Sequence, residues 1–546
     1  MTSKQVTVSG EGLSLDDIVA VSRRHADAKI SESLDVGARV LASEDFVRKA
    51  VASGVAIYGV TTGVGANATQ AIPREEVEAM QENLLWLLKA GSGERIGSDA
   101  VRAGMLLRLN SLLRGVSGIR MDLLRRLETF LNEDVVPHVL EHGSIGASGD
   151  LVPLAYVTGA LIGLDNDFRV DLRGEEMGAV EALAQLGLDR ERLRAKEGLA
   201  LINGNSMMTG LAALCVADTK DLLLLAHGVH ALAVQALCGS EASFAPFIHE
   251  HKPHPGQLRS AAWMRALLAA SRMTTEGVKG HYAQPDNALI QDRYSLRCLP
   301  QFMAPLLEGI AHIEGQIEIE ANCANDNPLF DVETGTTYNG GNFLGQVVGV
   351  GMDQLRFYIG LMAKHLDTQL SLLMSPEFSN GLPMSLSGDP NRTWNMGLKG
   401  LQVLGNSMMP ILTFMGNTMT DRFPTHAEQF NQNVNSQGYG AANLGRRSVE
   451  TAQQYMAVAL LVSTQAVDLR TRVLTGHCDA RVCLSPGCTP LYEVTKEILS
   501  CPPNKETPLL PTDDAQHVDA YVKALVQDIK EDGRLVATLT SLQDVR

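Results

Sequence analysis

The chain has 546 residues, 45% of them hydrophobic and 20% charged, with a formal net charge of −16. That is enough apolar material for a large core and enough length for roughly two to four domains. The acidic balance, with no basic run, argues against nucleic acid as the main partner, and eight cysteines without a CxxC pair suggest reduced thiols in a cytoplasmic protein.

The N-terminal "MTSKQVTVSGEG" has no apolar segment of the kind a signal peptide needs. Ser14 to Asp17 reads as a capping box opening a first helix. "YGVTTGVGANA" holds Gly59, Gly63 and Gly65 but lacks the third glycine and the βαβ setting of a dinucleotide fingerprint. Met105 to Leu113 reads as helix. "GSIGASGD", Gly143 to Asp150, is built of small residues and followed at once by the apolar "LVPLAYV". "HGSIG" misses the nucleophile elbow because His142 stands where its first glycine belongs. "FRVDLRG", Phe168 to Gly174, reads as one strand of a small hairpin.

Met207 to Cys238 reads as a long helix. Its most apolar part, Leu222 to Cys238, carries His227, His230 and Gln235, so it is expected to be a buried helix and not a membrane span. "HEHKPHP", His249 to Pro255, is expected to be a surface or interface loop, since two prolines forbid a helix that would present its histidines to a metal. "LFDVETGTTYNGG", Leu329 to Gly341, reads as a second hairpin. Leu355, Tyr358, Ile359, Met362, Leu366, Leu370 and Leu373 follow helical spacing, which predicts a helix over 347–375, roughly 40 Å long at 1.5 Å per residue. Ser448 to Ala466 reads as helix, Cys478, Cys483 and Cys488 as plain thiols, and Cys501 to Asp514 as a proline-rich loop before a last helical region. No proline falls between Pro153 and Pro246, Pro328 and Pro376, or Pro424 and Pro486, which leaves room for very long helices. The expected fold is mainly α, with long central helices forming a bundle and little β. Chemistry is expected in the glycine-rich loops set on those helices.

Ala147-Ser148-Gly149 has a chemistry of its own. Glycine lets the Gly149 nitrogen approach the Ala147 carbonyl, and attack there closes a five-membered ring. Loss of the Ser148 hydroxyl as water leaves an exocyclic methylidene. The chain would then supply an electrophile, the reverse of the usual nucleophilic catalysis.

In this setting "GSIGASGDLVPLAYV" resembles the signature of the aromatic amino acid ammonia-lyase and aminomutase family. The likeness continues in order through "IYGVTTGVG", "KEGLALING", "HPGQL", "QDRYSLRCLPQ", "NDNPL", "GGNFLGQ", "GLKGLQ" and "FPTHAEQFNQNVNSQGY". It is nearest the bacterial, cyanobacterial-type members that act on phenylalanine. The resemblance implies the histidine/phenylalanine ammonia-lyase-like fold and a 4-methylideneimidazol-5-one (MIO) group formed autocatalytically from Ala147, Ser148 and Gly149, with no metal and no external cofactor. It implies three regions: 1–205 bearing the MIO group and the tyrosine loop, 206–475 as the long-helix bundle, and 476–546 as a C-terminal helical part.

By the same resemblance Tyr58 removes the β-proton, from a loop that Gly59, Gly63 and Gly65 let move as a lid. A phenol of pKa about 10 needs nearby dipoles or positive charge for that task. Asn203 and Asn327 match asparagines that bind substrate and stabilise the MIO oxygen, and Tyr294 belongs to the catalytic set. Arg297 is the expected carboxylate clamp, through two parallel hydrogen bonds. Gln291, Leu199 and Phe343 line the site, and Lys399, Glu428, Asn431 and Gln432 surround the amine and carboxylate. Arg293 is expected to be a structural ion-pair partner. Read without the resemblance, Glu428 is a solvated helix charge and Tyr58 a packing side chain.

The family reads the substrate ring with a residue pair after "QENL", here Leu87 and Leu88. Two leucines give a phenol hydroxyl or an imidazole no partner, and leaving such a group unpaired costs about 1–3 kcal/mol, so phenylalanine is the expected substrate. Phenylalanine 2,3-aminomutase and tyrosine ammonia-lyase are the alternatives, and a catalytically silent homologue is the reading from another class. The expected assembly is a homotetramer whose active sites are shared between subunits.

Overall fold

The computed structural model describes residues 4–281, 290–514, 516–530 and 533–545. It is dominated by helices, the longest being Ser206–Ala236, Leu299–Ala321, Gln346–Met374 and Gly438–Thr475. Backbone contacts divide the chain into two compact units. One comprises Met1–Ala217, Ile313–Gln354 and Thr418–Arg446; the other comprises Asp218–His312, Leu355–Asn417 and Arg447–Arg546. The units are interleaved in sequence.

In the first unit, Lys4–Val8 pairs in parallel with Ala26–Ile30, and the helix Leu15–Ser22 connects them. The capping box is present: the Ser14 hydroxyl accepts from Asp17 N at 3.2 Å, and the Asp17 carboxylate accepts from Ser14 N at 3.1 Å. The helix Ser98–Leu112 is buried from Ala100 onward, because apolar residues occupy most of its circumference. Arg169–Leu172 pairs with Glu175–Gly178, and Val135–Pro137 adds a third strand to that hairpin. Leu329–Asp331 pairs with Thr336–Tyr338.

The helices expected over 347–375 and 207–238 occur as Gln346–Met374 and Ser206–Ala236. An apolar window in the second passes the length and composition test for a membrane span, and all of it is buried inside the protein. The helix expected over Ser448–Ala466 runs 38 residues, from Gly438 to Thr475. Its first turns contain three glycines, which weaken helix propensity. Tight packing compensates: a Cβ on Gly445 would lie 3.4 Å from the Met352 sulfur and 3.5 Å from the Cys215 sulfur. Two helices run through a proline, Pro305 in Leu299–Ala321 and Pro410 in Lys399–Met415.

The second unit buries polar groups in pairs. Lys496 meets the Asp468 carboxylate at 2.7 Å, and Tyr492 donates to the same group at 2.6 Å. Cys478, Cys483 and Cys488 are buried and form no disulfide among the described residues. The "HEHKPHP" stretch is exposed from Glu250 to Pro255, as expected of a surface segment, but His249 departs from it. His249 is fully buried on the short helix Pro246–Glu250, with Nε2 donating to Ser243 O and Nδ1 meeting Gln257 Nε2 at 3.1 Å. Its two ring nitrogens are spent on internal hydrogen bonds, so it is a core histidine.

Candidate active site

The small-residue run at 143–150 ends in a backbone crossing. Gly149 has φ +68°, and a side chain there would collide with the Gly204 carbonyl. Asp150 N donates to Gly204 O at 2.7 Å. The Asp150 side chain, fully buried, accepts from Met208 N at 2.8 Å, in the first turn of Ser206–Ala236, and lies 3.0 Å from the Ser144 hydroxyl. Burial pushes this carboxyl up to about 7, against those donors and the nearby Arg108. Arg108 lies beneath, wholly buried, donating to Ala200 O and Asn325 O, and burial lowers it to about 10.

The Asn203 amide donates to Asn327 O at 2.7 Å, while its own carbonyl oxygen is buried with no partner. Asn327 is held by an ion pair that sequence reasoning missed. Lys196 Nζ lies 2.9 Å from both Asp326 oxygens and 3.4 Å from Asn327 O, and neither Lys196 nor Asp326 side chain is exposed. Burial pulls the ammonium down from its ordinary range and Asp326 opposes that. Both charges sit inside the motifs "KEGLALING" and "NDNPL", which was the available signal.

Tyr58 lies in a turn and is half-buried. Its oxygen accepts from Gly65 N at 2.9 Å, the dipole a phenolate needs. Burial, the largest influence, and the Glu428 carboxylate nevertheless push the phenol above its ordinary value. Glu428 is no helix charge, which corrects the reading made without the resemblance. Glu428, Gln429 and Phe430 form a left-handed turn with φ of 51°, 55° and 66°, closed by a bridge between Ala427 and Gln432. The turn sets Glu428 against Gly65, where any side chain would strike its carboxylate. Asn431 donates to Glu428 at 3.2 Å, and Gln432 donates to the Ser148 hydroxyl at 3.1 Å.

These segments enclose one cavity of about 520 Å³ in the first unit. Of the residues singled out from sequence, Tyr58, Leu87, Leu88, Ala147, Ser148, Leu199, Asn203, Asn327, Phe343, Glu428, Asn431 and Gln432 line it. Gly149 lies buried next to them in the chain. Leu84, Leu151 and Ile202 extend the apolar wall beyond the pair read from sequence. Among the described lining residues the ionisable ones are Tyr58 and Glu428, and none is a cation.

Gln291, Tyr294, Arg297 and Lys399 belong to the other unit and are not among the lining residues. Tyr294 is 73% exposed, and the Arg297 guanidinium lies 4.7 Å from its ring while donating through Nε to Asp292 O at 3.0 Å. Arg293, expected as an ion-pair partner, lies over the Phe378 ring at 4.8 Å, an attraction of cation to π-face.

The family model for aromatic amino acid lyase matches residues 13–496. The chain belongs to that family. It is 54% identical to a phenylalanine ammonia-lyase of Nostoc punctiforme over 97% of this chain and 93% of that protein. It is 45% identical to an aromatic ammonia-lyase of Loktanella atrilutea over 98% of each. Among solved structures, a tyrosine aminomutase from Streptomyces globisporus superimposes with a TM-score of 0.87 at 29% identity, over 99% of each chain. The long-helix architecture is thus the family's fold.

The buried pair gives a stability prediction. Lys196→Met strands the Asp326 charge and should cost about 3–5 kcal/mol in urea unfolding, whereas the double variant Lys196→Met/Asp326→Leu should recover most of it. Equal losses in the two variants would show that the pair is not the source.

Proposed function

We propose that this chain is a phenylalanine ammonia-lyase, converting L-phenylalanine to trans-cinnamate and ammonia. The observation that carries the reading is one cavity lined by Ala147 and Ser148, by the amides of Asn203, Asn327, Asn431 and Gln432, and by leucines that include Leu87 and Leu88. The 54% identity to the Nostoc punctiforme phenylalanine ammonia-lyase supports it.

The surroundings of Ala147–Gly149 fit the MIO group. Gly149 adopts a backbone that a side chain would clash out of, Ala147 is buried, and the unpartnered Asn203 oxygen marks a buried amide with bonding capacity to spare. That group supplies an electrophilic methylidene, which makes the substrate amine a leaving group. Tyr58 removes the β-proton. Gln432, already bonded to Ser148, and Glu428 with Asn431 orient the amine end. Asn203 and Asn327 hold polar atoms of the substrate, Lys399 and Gln291 act at its polar end, and Phe343 and Leu199 close the walls. Leu87 and Leu88 take the ring, where a phenol hydroxyl would go unpaired.

The substrate is a zwitterion, and its carboxylate needs a cation that the lining residues lack. Arg297 meets that need, with Tyr294 beside it. We assign the supply to another copy of the chain in a cytoplasmic homotetramer. The exposed Val403, Leu404, Ile411 and Phe414 on one helix are apolar surface suited to such an interface.

Three measurements test this. Purified protein given L-phenylalanine should release cinnamate with little β-phenylalanine, and Ser148→Ala should abolish it. Early β-phenylalanine would make the enzyme an aminomutase, and faster coumarate from L-tyrosine would overturn the reading of Leu87 and Leu88. Tyr58 accepts a proton only when ionised, so kcat/KM should rise with pH on the alkaline side. Glu428 raises that phenol, so Glu428→Gln should move the rise to lower pH, and an unmoved or opposite shift would remove Tyr58 as the base. Finally, Tyr58→Phe and Arg297→Gln should each be inactive, yet after co-refolding recover about a quarter of wild-type activity if the two residues come from different copies. No recovery would place both in one chain.

A further inference from the structure

Gln81 is fully buried on the helix Val77–Leu87, which carries the Leu87 end of the ring wall. Its amide bonds in two directions. Nε2 donates to Gly59 O at 3.1 Å, and Oε1 accepts from Leu199 N at 3.0 Å. The first bond reaches the residue after Tyr58. The second reaches the helix Glu197–Ile202, whose next residue is Asn203. One side chain therefore ties together the ring-reading helix, the turn that bears the phenol, and the segment that presents the substrate amide.

The surroundings leave this amide little freedom. A Cβ on Gly198 would lie 2.8 Å from Gln81 O and 3.1 Å from its Oε1, so the two helices meet at backbone contact. Gly59 is left-handed at φ +65°, and a Cβ there would lie 2.5 Å from Leu199 Cδ2. Among the described residues, every other hydrogen bond of residues 57–65 ends within 55–72. The Gln81 bond is what fastens the Tyr58 turn to the rest of the unit by hydrogen bonding. A glutamine suits the place because one partner is an acceptor and the other a donor.

We propose that Gln81 is a positioning residue, coupling the Tyr58 turn to the Asn203 segment so that the phenol and the amide face the substrate in one fixed geometry. The kinetic part of this inference rests on the lyase reading above; the structural part does not.

Two variants separate positioning from mere stability. Gln81→Met keeps the volume and loses both bonds. Per site carrying the prosthetic group, measured by its near-ultraviolet absorbance, kcat on L-phenylalanine should fall about 10- to 100-fold, the scale of a misplaced reacting group, with KM changed less than threefold. Hydrogen exchange at 58–65 should accelerate, while the hairpin 169–178 keeps its protection. Gln81→Glu accepts from Leu199 N at any pH but donates to Gly59 O only when protonated. Its kcat relative to wild type at each pH should be near one in acid and should fall as pH rises. That ratio cancels the titration both proteins share, and any shift of Tyr58 by the new carboxylate is read separately from the alkaline midpoint of kcat/KM, which a loss of positioning leaves unmoved. A Gln81→Glu ratio flat with pH would overturn the proposal, and so would exchange at 58–65 unchanged in Gln81→Met. If Gln81→Met does not fold, the Gln81→Glu ratio decides. A wild type that deaminates neither phenylalanine nor tyrosine would sink the lyase reading alone, leaving the exchange measurement to judge Gln81.

Discussion

The crossing of Gly149 and Asp150 over Gly204 is the constraint on which the cavity depends. It leaves no room for a side chain at Gly149, which would strike the Gly204 carbonyl, or at Gly204, which would strike Arg108 and Asn325 O, and it is bonded from Asp150 N to Gly204 O at 2.7 Å. Around it gather the Asp150 carboxyl, the first turn of Ser206–Ala236, and Arg108 with its bonds to Ala200 O and Asn325 O. Buried polar groups are stable only when paired, and here each pairing joins a different stretch of chain. The knot has a pH consequence. A carboxyl raised to about 7 binds its proton more tightly in the folded state. Its stabilising contribution is full below the ordinary carboxylate value and is lost as pH rises through about 7.

A second constraint lies at the turn of Glu428, Gln429 and Phe430. Three successive left-handed residues without a glycine among them cost about 1–2 kcal/mol each. The Ala427–Gln432 bridge and the Asn431 bond hold them in that shape. What the strain accomplishes is placement: Glu428 is driven into the space that Gly65 leaves open, beside the phenol that accepts from the same Gly65 N–H. Glycine at 65 and the acid at 428 are therefore one arrangement, in which a carboxylate and a backbone dipole act on Tyr58 in opposite senses. Burial, the largest influence, acts in the same sense as the carboxylate and leaves the phenol above its ordinary value.

Much of this was legible in the sequence, for separable reasons. Periodic apolar residues located the helix Gln346–Met374 to within one residue at each end, because that pattern is a direct image of burial. The capping box and both hairpins were readable because their signals are local. The run at 147–149 stood out because small residues cluster there beside an apolar stretch, and Ala147 and Ser148 line the cavity. What stayed hidden depended on pairing in space. Gln81, Lys196 and Asp326 are polar letters in a helix or loop until their partners are known. The left-handed run at 428–430 carries no glycine or asparagine to announce it. The glycine-rich start of Gly438–Thr475 reads as loop, since propensity is a weak prior that packing overrides.

The same geometry supplies part of the missing positive charge. Ser148 stands just before the helix Leu151–Leu161, Asn203 before Ser206–Ala236, Phe343 before Gln346–Met374, and Gln432 a few residues before Gly438–Thr475. Each of these four lining residues thus precedes a helix N-terminus in the chain, the end of the backbone dipole that favours negative charge. One such end contributes about 0.3–1 kcal/mol toward a nearby anion, more where water is excluded. These helix ends bias toward negative charge a cavity whose described lining residues include one carboxylate, Glu428, and no cation. On the proposed assignment of Arg297 from another copy, its loss removes the clamp on the carboxylate while the bias of these helix ends toward negative charge remains.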